Sequence, residues 1–215
     1  MNTRSKNTDY MIFQFVKVAM YCCIPSAVLV ITITVALTFV NSRTTSSIYA
    51  MVLMQQSVPV LFSYGLLPLL IFALTEKSKL EVVGLKRNRH FLITVLNICA
   101  AIIFICYLFY KNIPQRKEFV YVIHYFCVAL AEEILVRGII FYQLERLVKR
   151  RWISVVICAF IFALVFHSTD GIWMNIAYRV PFGIIASMLY LMTGSLMTSV
   201  NFHWIYNVIL TINYI

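Results

Sequence analysis

The run from Phe119 to Leu144 is apolar and long enough to cross a bilayer, yet it holds Glu132, Glu133 and Arg137. At membrane depth a charged side chain costs roughly 2.5–3.5 kcal/mol even on lenient insertion scales. A fold that keeps all three must turn them toward a protein interior or a wet cavity, and must pair them. Glu133 and Arg137 stand i,i+4 on one helical face, so a salt bridge between them removes two of the charges. Glu132 projects about 100° away and has no local partner. The bland reading is an interhelical ion network or the polar end of a helix. The functional reading starts from the leftover acid, because ionisable groups inside a membrane mark functional sites by default.

Hydrophobic residues make up 62% of the chain and charged residues 12%. A soluble domain is nearer half apolar and a quarter charged. The expected fold is therefore all-α: a polytopic transmembrane helical bundle of about seven spans, within a range of six to eight. We divide it at 118 into an N-terminal set of membrane helices with a basic loop (1–118) and a C-terminal helical core (119–215). The net charge of +10 raises nucleic acid as a partner. The basic residues instead sit in short loops between apolar runs, as topology signals do, and no nucleic-acid motif accompanies them. Membrane lipid is the partner this distribution implies. The six cysteines lie within apolar runs without CxxC spacing, which reads as small buried hydrophobes rather than disulfides or a thiolate zinc site. No cleavable signal peptide is evident.

The expected spans are Val18 to Val40, Ile48 to Leu74, Phe91 to Tyr110, Phe119 to Leu144, Trp152 to Ser168, Ile172 to Met192 and Leu196 to Ile215. Pro59 and Pro68 predict a kink in the second. Arg4, Lys6 and Lys17 then share a side with Lys77, Lys79, Lys86, Arg87 and Arg89, and with Arg146, Lys149, Arg150 and Arg151. Arg43, Lys111, Arg116 and Lys117 fall opposite. The asymmetry places the N-terminus in the cytoplasm and the C-terminus outside. Counted along regular spans, Glu132 and His203 lie at matching depth. His167 falls near the outer end, so its helix must be sunk or tilted, or its boundary moved, for the three to meet.

His167 closes an apolar segment, and His203 and Asn207 stand i,i+4 on one face of the last helix. A single membrane histidine is more often an interhelical hydrogen bonder than a catalyst. A carboxylate, two histidines and a carboxamide on three helices form a set that hydrolysis can use. The carboxylate can act as general base toward water, and imidazole and carboxamide N–H groups can stabilise an oxyanion. Glu132, His167 and His203 can also be read as a His₂Glu site for a divalent metal such as zinc. The stronger HExxH signature is absent. No cofactor is certain from these residues.

Glu132-Glu133-x-x-x-Arg137, the Phe-rich segment ending in His167, and His203-x-x-x-Asn207 resemble the three motifs of the CAAX-processing and bacteriocin-processing intramembrane protease family (CPBP, also called Abi). The resemblance runs from Phe119 to Asn207, in order and spacing. It departs at Ala163, where the family has phenylalanine and this chain offers Phe162 and Phe166. The resemblance implies a glutamate-type intramembrane endopeptidase acting on a peptide or protein near its C-terminus or leader. Glu132 and His167 would activate water, His203 and Asn207 would form the oxyanion hole, and Glu133 and Arg137 would hold the site in shape. Small bacterial members are linked to bacteriocin maturation or self-immunity, which implies a bacterial plasma membrane. The alternative is a non-catalytic membrane immunity or binding protein that retains these residues. A proton-coupled transporter ranks last, because no internal repeat is seen. Arg179 stands outside the motifs and reads either as an interfacial ion pair or as a contact for a substrate carboxylate. Oligomeric state is not legible.

Overall fold

The computed structural model describes residues 3–41, 47–76, 80–84, 90–115, 117, 119–169 and 171–212. Lys77, Lys79, Lys86, Arg87 and Arg89 of the basic loop lie outside the described residues, as do Arg43 and Arg116.

Seven helices carry the described chain: α1 (Thr3–Asn41), α2 (Ile48–Thr75), α3 (Phe91–Tyr110), α4 (Phe119–Val148), α5 (Arg151–Phe166), α6 (Ile172–Thr193) and α7 (Leu196–Ile212). Among the described residues no strand is present. In α1 to α4 and in α6 a stretch is long and apolar enough to cross a membrane, whereas α5 is a shorter apolar helix. The protein is an integral membrane protein built as an all-α bundle. The third span matches its expected limits to the residue. The first does not: helix begins at Thr3, well before the expected start at Val18. The added helix includes the apolar run Met11 to Val16, and Lys17 beyond it pairs with Glu76.

The core lies around α4. Of its most apolar window 56% is buried, against 11% in α1 and in α3. It packs on α1, α2, α5 and α7, while α3 lies against the far side of α7. Without a hydrophobic drive between helices in lipid, close backbone approach and polar links hold such bundles. Gly183 of α6 supplies the approach: a Cβ there would lie 3.0 Å from Ala159 of α5. Asn97 of α3 donates to the Thr198 carbonyl and accepts from Asn201 of α7. Trp204 donates its indole N–H to the Val122 carbonyl of α4.

The expected kink in α2 takes a specific form. Each proline follows a π-helical turn, Pro59 after Leu53–Ser57 and Pro68 after Leu61–Leu66, and these wider i→i+5 turns accommodate the missing donors. Similar turns occupy Ile134–Ile140, Phe162–Phe166 and Asn175–Arg179. The reading of all six cysteines as buried is corrected. Cys22 and Cys158 are buried, Cys127 is half-buried, and Cys23, Cys99 and Cys106 are exposed on the outer faces of α1 and α3. An apolar thiol satisfies lipid as well as it satisfies a core.

Candidate functional site

Glu132 and Glu133 end the regular part of α4 at mid-helix, and the π-helical turn Ile134–Ile140 follows with every residue buried. Helices pack around this point, so both carboxylates are buried, Glu133 completely. Glu133 and Arg137 are fully buried, and His203 and Glu132 nearly so. The salt bridge expected from i,i+4 spacing is present: Arg137 Nη1 donates to Glu133 Oε1 at 2.8 Å. The same oxygen hydrogen-bonds His203 Nδ1 at 2.9 Å. Arg137 also lies over the Phe162 ring, 4.5 Å from its centroid, and Nη2 donates to the Gly183 carbonyl at 3.4 Å. Glu133 therefore ties the arginine of its own helix to the histidine of α7.

Glu132 faces the other way. Its Oε2 lies 3.7 Å from His203 Nε2 and 3.8 Å from His167 Nε2, and neither distance is a hydrogen bond. Glu132 Oε2 and His167 Nε2 are buried without a hydrogen-bond partner. Each pair is too far apart for a direct bond and close enough for one water to touch both atoms.

His167 reaches this point because α5 is short. It follows the start of α5 at Arg151 by as many residues as Glu132 precedes the end of α4 at Val148. The two helices run back to back from one tight turn, so equal chain lengths bring both side chains to equal depth. The mismatch read from regular spans came from misplacing a boundary. Beyond Phe166 the helix stops, and the His167 carbonyl accepts from Asn175 Nδ2 at 2.9 Å.

Aromatic rings set the spacing between the imidazoles. Phe162 meets His167 edge-on at 4.8 Å and His203 edge-on at 5.7 Å between centroids. Phe182 packs on Phe162 and on His203. Phe162 is thus the packing aromatic next to Ala163, while Phe166 turns away to Tyr64. His124 is engaged elsewhere, with Ser57 Oγ at 2.9 Å.

Asn207 is half-buried one turn beyond His203 and makes no hydrogen bond to Glu132, His167 or His203. It lines a separate cavity of about 530 Å³ with Tyr125, Tyr178, Arg179 and Tyr206. The structure thus groups Glu132, Glu133, Arg137, His167 and His203, and sets Asn207 at their edge. Sequence reasoning missed Asn175 and Phe182. Asn175 had a signal, a carboxamide within the apolar stretch from Ile172 to Tyr178.

As grouped, no three His, Cys, Asp or Glu side chains among the described residues could hold a metal ion. The 3.7 and 3.8 Å spacings also exceed the edge of about 3.3 Å that follows from tetrahedral zinc with bonds of about 2.0–2.1 Å.

The family model for type II CAAX prenyl endopeptidase Rce1-like proteins matches residues 114–209. Over this segment, a little under half of its length, the chain is similar to that family. The match takes in every residue of the cluster and extends past both ends of the stretch on which the motif resemblance rested. The likeness over this segment supports an intramembrane protease function of the CAAX type. No curated protein and no solved structure matches the chain.

Proposed function

We propose that the protein is an active endopeptidase in which Glu132 and His167 prepare a water molecule for attack on a peptide carbonyl. The observation that carries this reading is the buried Glu132 Oε2, unbonded and facing two imidazole nitrogens at 3.7 and 3.8 Å. A water in contact with that oxygen and with His167 Nε2 gives up its proton to the carboxylate as its oxygen bonds to the carbonyl carbon. The proton then passes to the leaving amine.

His203 takes a more defined part than its place in an oxyanion hole alone suggests. A neutral imidazole has a single N–H. With Nδ1–H directed at Glu133, Nε2 of the neutral ring only accepts. Donation from Nε2 to an oxyanion requires a ring that carries a proton on both nitrogens. Asn207 supplies an uncharged donor at the far side. Glu133 and Arg137 act as positioning residues, Glu133 by holding the His203 ring and Arg137 by holding Glu133.

The substrate we propose is a peptide or protein cleaved near its C-terminus or leader, with bacteriocin processing or self-immunity as the setting and a bacterial plasma membrane as the site. A cytoplasmic N-terminus is supported by the meeting of Lys17 and Arg146 at Glu76, which puts two of the three basic clusters at one end of the bundle.

The test is cleavage of a quenched fluorogenic peptide by purified protein, wild type against Glu132→Gln. Removing the base should cost 10²–10⁴-fold, roughly, in kcat. Full activity in Glu132→Gln would remove the carboxylate from the chemistry. Retention of protective function by the same variant would favour the non-catalytic immunity protein. Loss of activity in chelator with recovery in zinc would make Glu132, His167 and His203 metal ligands.

A further inference from the structure

The connection from α2 to α3 returns to the bundle at the 3₁₀ turn Leu80–Val83, which Gly84 follows with φ +83. The corner between α6 and α7 secures it. The Leu196 N–H donates to the Gly84 carbonyl at 3.0 Å, and the Tyr190 hydroxyl donates to the Val82 carbonyl at 3.4 Å. Val82 is exposed, whereas Val83 is fully buried. Val83 lies on Gly138, in the π-helical turn Ile134–Ile140. A Cβ at Gly138 would stand 3.3 Å from both Val83 Cβ and the Val83 carbonyl oxygen. Glycine is a poor residue for a helix interior, and here it leaves the space that Val83 takes. Elsewhere on the same turn, Cys158 of α5 donates its thiol to the Val136 carbonyl at 3.4 Å. Arg137 stands between these two contacts in the chain, and from it bonds run to Glu133 and on to His203.

We propose that Val83 is a positioning residue: wedged against Gly138, it fixes the turn that places Arg137, and through Glu133 it sets the ring of His203. The proposal rests on the protease reading above. It brings into the site a residue that lies outside the segment matched by the family model. A π-helical turn carries one residue more than regular helix, so ordinary i→i+4 bonding is its ready alternative. Close-packed interiors transmit a displacement from one side chain to the next. A void at Val83 lets the turn settle toward it, and Gly138 carries the adjoining Arg137 along. The guanidinium then leaves Glu133 Oε1, the same oxygen that bonds His203 Nδ1. Val83 has no polar side-chain atom to offer the cluster. What it contributes is volume at one place, so shape rather than polarity carries the effect.

The experiment uses the full chain in detergent. Val83→Ala removes the wedge. Val83→Thr keeps its shape but buries a hydroxyl, which costs stability. Val120→Ala removes the same volume from a fully buried position near the start of α4. Thermal unfolding gives the midpoint, and cleavage of the quenched fluorogenic peptide gives kcat and KM. All three variants should unfold at lower temperature. Val83→Ala alone of the three should lose kcat, by about 10- to 100-fold, with KM within about twofold of wild type. A kcat loss that follows the midpoint across the three, a loss carried by KM, or wild-type kcat in Val83→Ala overturns the proposal and leaves the protease reading standing. Nitrogen NMR of isotope-labelled histidine reads the same effect without turnover, the His203 signals being identified by their loss in His203→Gln. His203 Nδ1 should shift in Val83→Ala and stay in place in Val83→Thr and Val120→Ala. That pattern, in a wild type that cleaves no peptide, upholds the positioning of His203 and sinks the protease. An unmoved His203 Nδ1 in Val83→Ala overturns the proposal. Gly138→Ala presses on the same contact from the other side without opening a void, and should likewise lose kcat and shift His203 Nδ1. Wild-type values of both in Gly138→Ala overturn the proposal even where Val83→Ala does not fold.

Discussion

Replacing Arg137 by methionine should separate what holds this site together from what it does. The change removes the 2.8 Å bond to Glu133 and the guanidinium over Phe162, and leaves a fully buried carboxylate with His203 as its remaining polar partner. Breaking a buried ion pair from one side costs about 3–5 kcal/mol. For a chain of this size that corresponds to roughly 6–20 °C in unfolding midpoint. The double variant Glu133→Gln/Arg137→Met removes both charges in side chains of similar volume and should recover most of the loss, because the desolvation cost goes with them. It should remain inactive, since the neutral pair no longer fixes the Glu133 oxygen that holds the His203 ring. The assay is thermal unfolding in detergent followed by a thiol-reactive dye. The buried Cys22 and Cys158 report opening once the exposed Cys23, Cys99 and Cys106 are changed to alanine. Wild-type stability in Arg137→Met, or a double variant no more stable than the single, would refute the reasoning.

Other perturbations probe the scaffold. Gly84 has φ +83, and a Cβ there would lie 2.4 Å from Tyr190 Cε2 and 3.2 Å from the Leu196 nitrogen. Gly84→Ala should lose about 1–2 kcal/mol from the left-handed backbone alone, more with the clash, while Gly171→Ala, whose Cβ meets open space, should not. Burial raises the pKa of Glu76, but hydrogen bonds from Lys17, Gln143 and Arg146 and the Lys17 charge outweigh it and hold the carboxyl below its usual value. The unfolded chain therefore takes up this proton first on acidification. The stabilisation is complete above the unfolded value of about 4.3 and is lost as pH falls through the lower folded one. Glu76→Gln should flatten that acid limb of the unfolding midpoint. Asn175→Ala should lower kcat by about tenfold with little change in KM, because the freed His167 carbonyl lets the ring drift. Asn175→Asp, which cannot donate, should not rescue it.

Much of this was legible in the sequence because charge in lipid is costly enough to leave a trace. Glu133 and Arg137 could be paired from spacing alone, and α3 could be bounded to the residue because polar segments flank it. The depth of His167 was not legible from average span lengths. It was available from the turn at Lys149 and Arg150, had the chain been counted outward from there. The helical start of α1 was hidden because the polar residues up to Tyr10 resemble a loop, although the helix runs through them from Thr3. Asn175 and Phe182 work through contacts between distant segments, which no local pattern encodes. The exposed cysteines were misread because an apolar residue in a membrane chain has two acceptable surroundings, core and lipid.

The wide turn at Ile134–Ile140 bears on how this chain can change over time. Such a turn carries its hydrogen bonds i→i+5, one residue more than a regular helix would use. Deleting a single residue within it would restore ordinary helix and leave hydrophobicity almost untouched. It would also change which residues of the turn face the cluster, moving Arg137 to i,i+3 from Glu133 when the deletion falls between them. Phe162–Phe166 poses the same hazard for His167, and Asn175–Arg179 for the wall of the cavity. Helical periodicity read across these turns therefore falls out of phase, and a one-residue deletion that leaves composition untouched can still change which side chains meet.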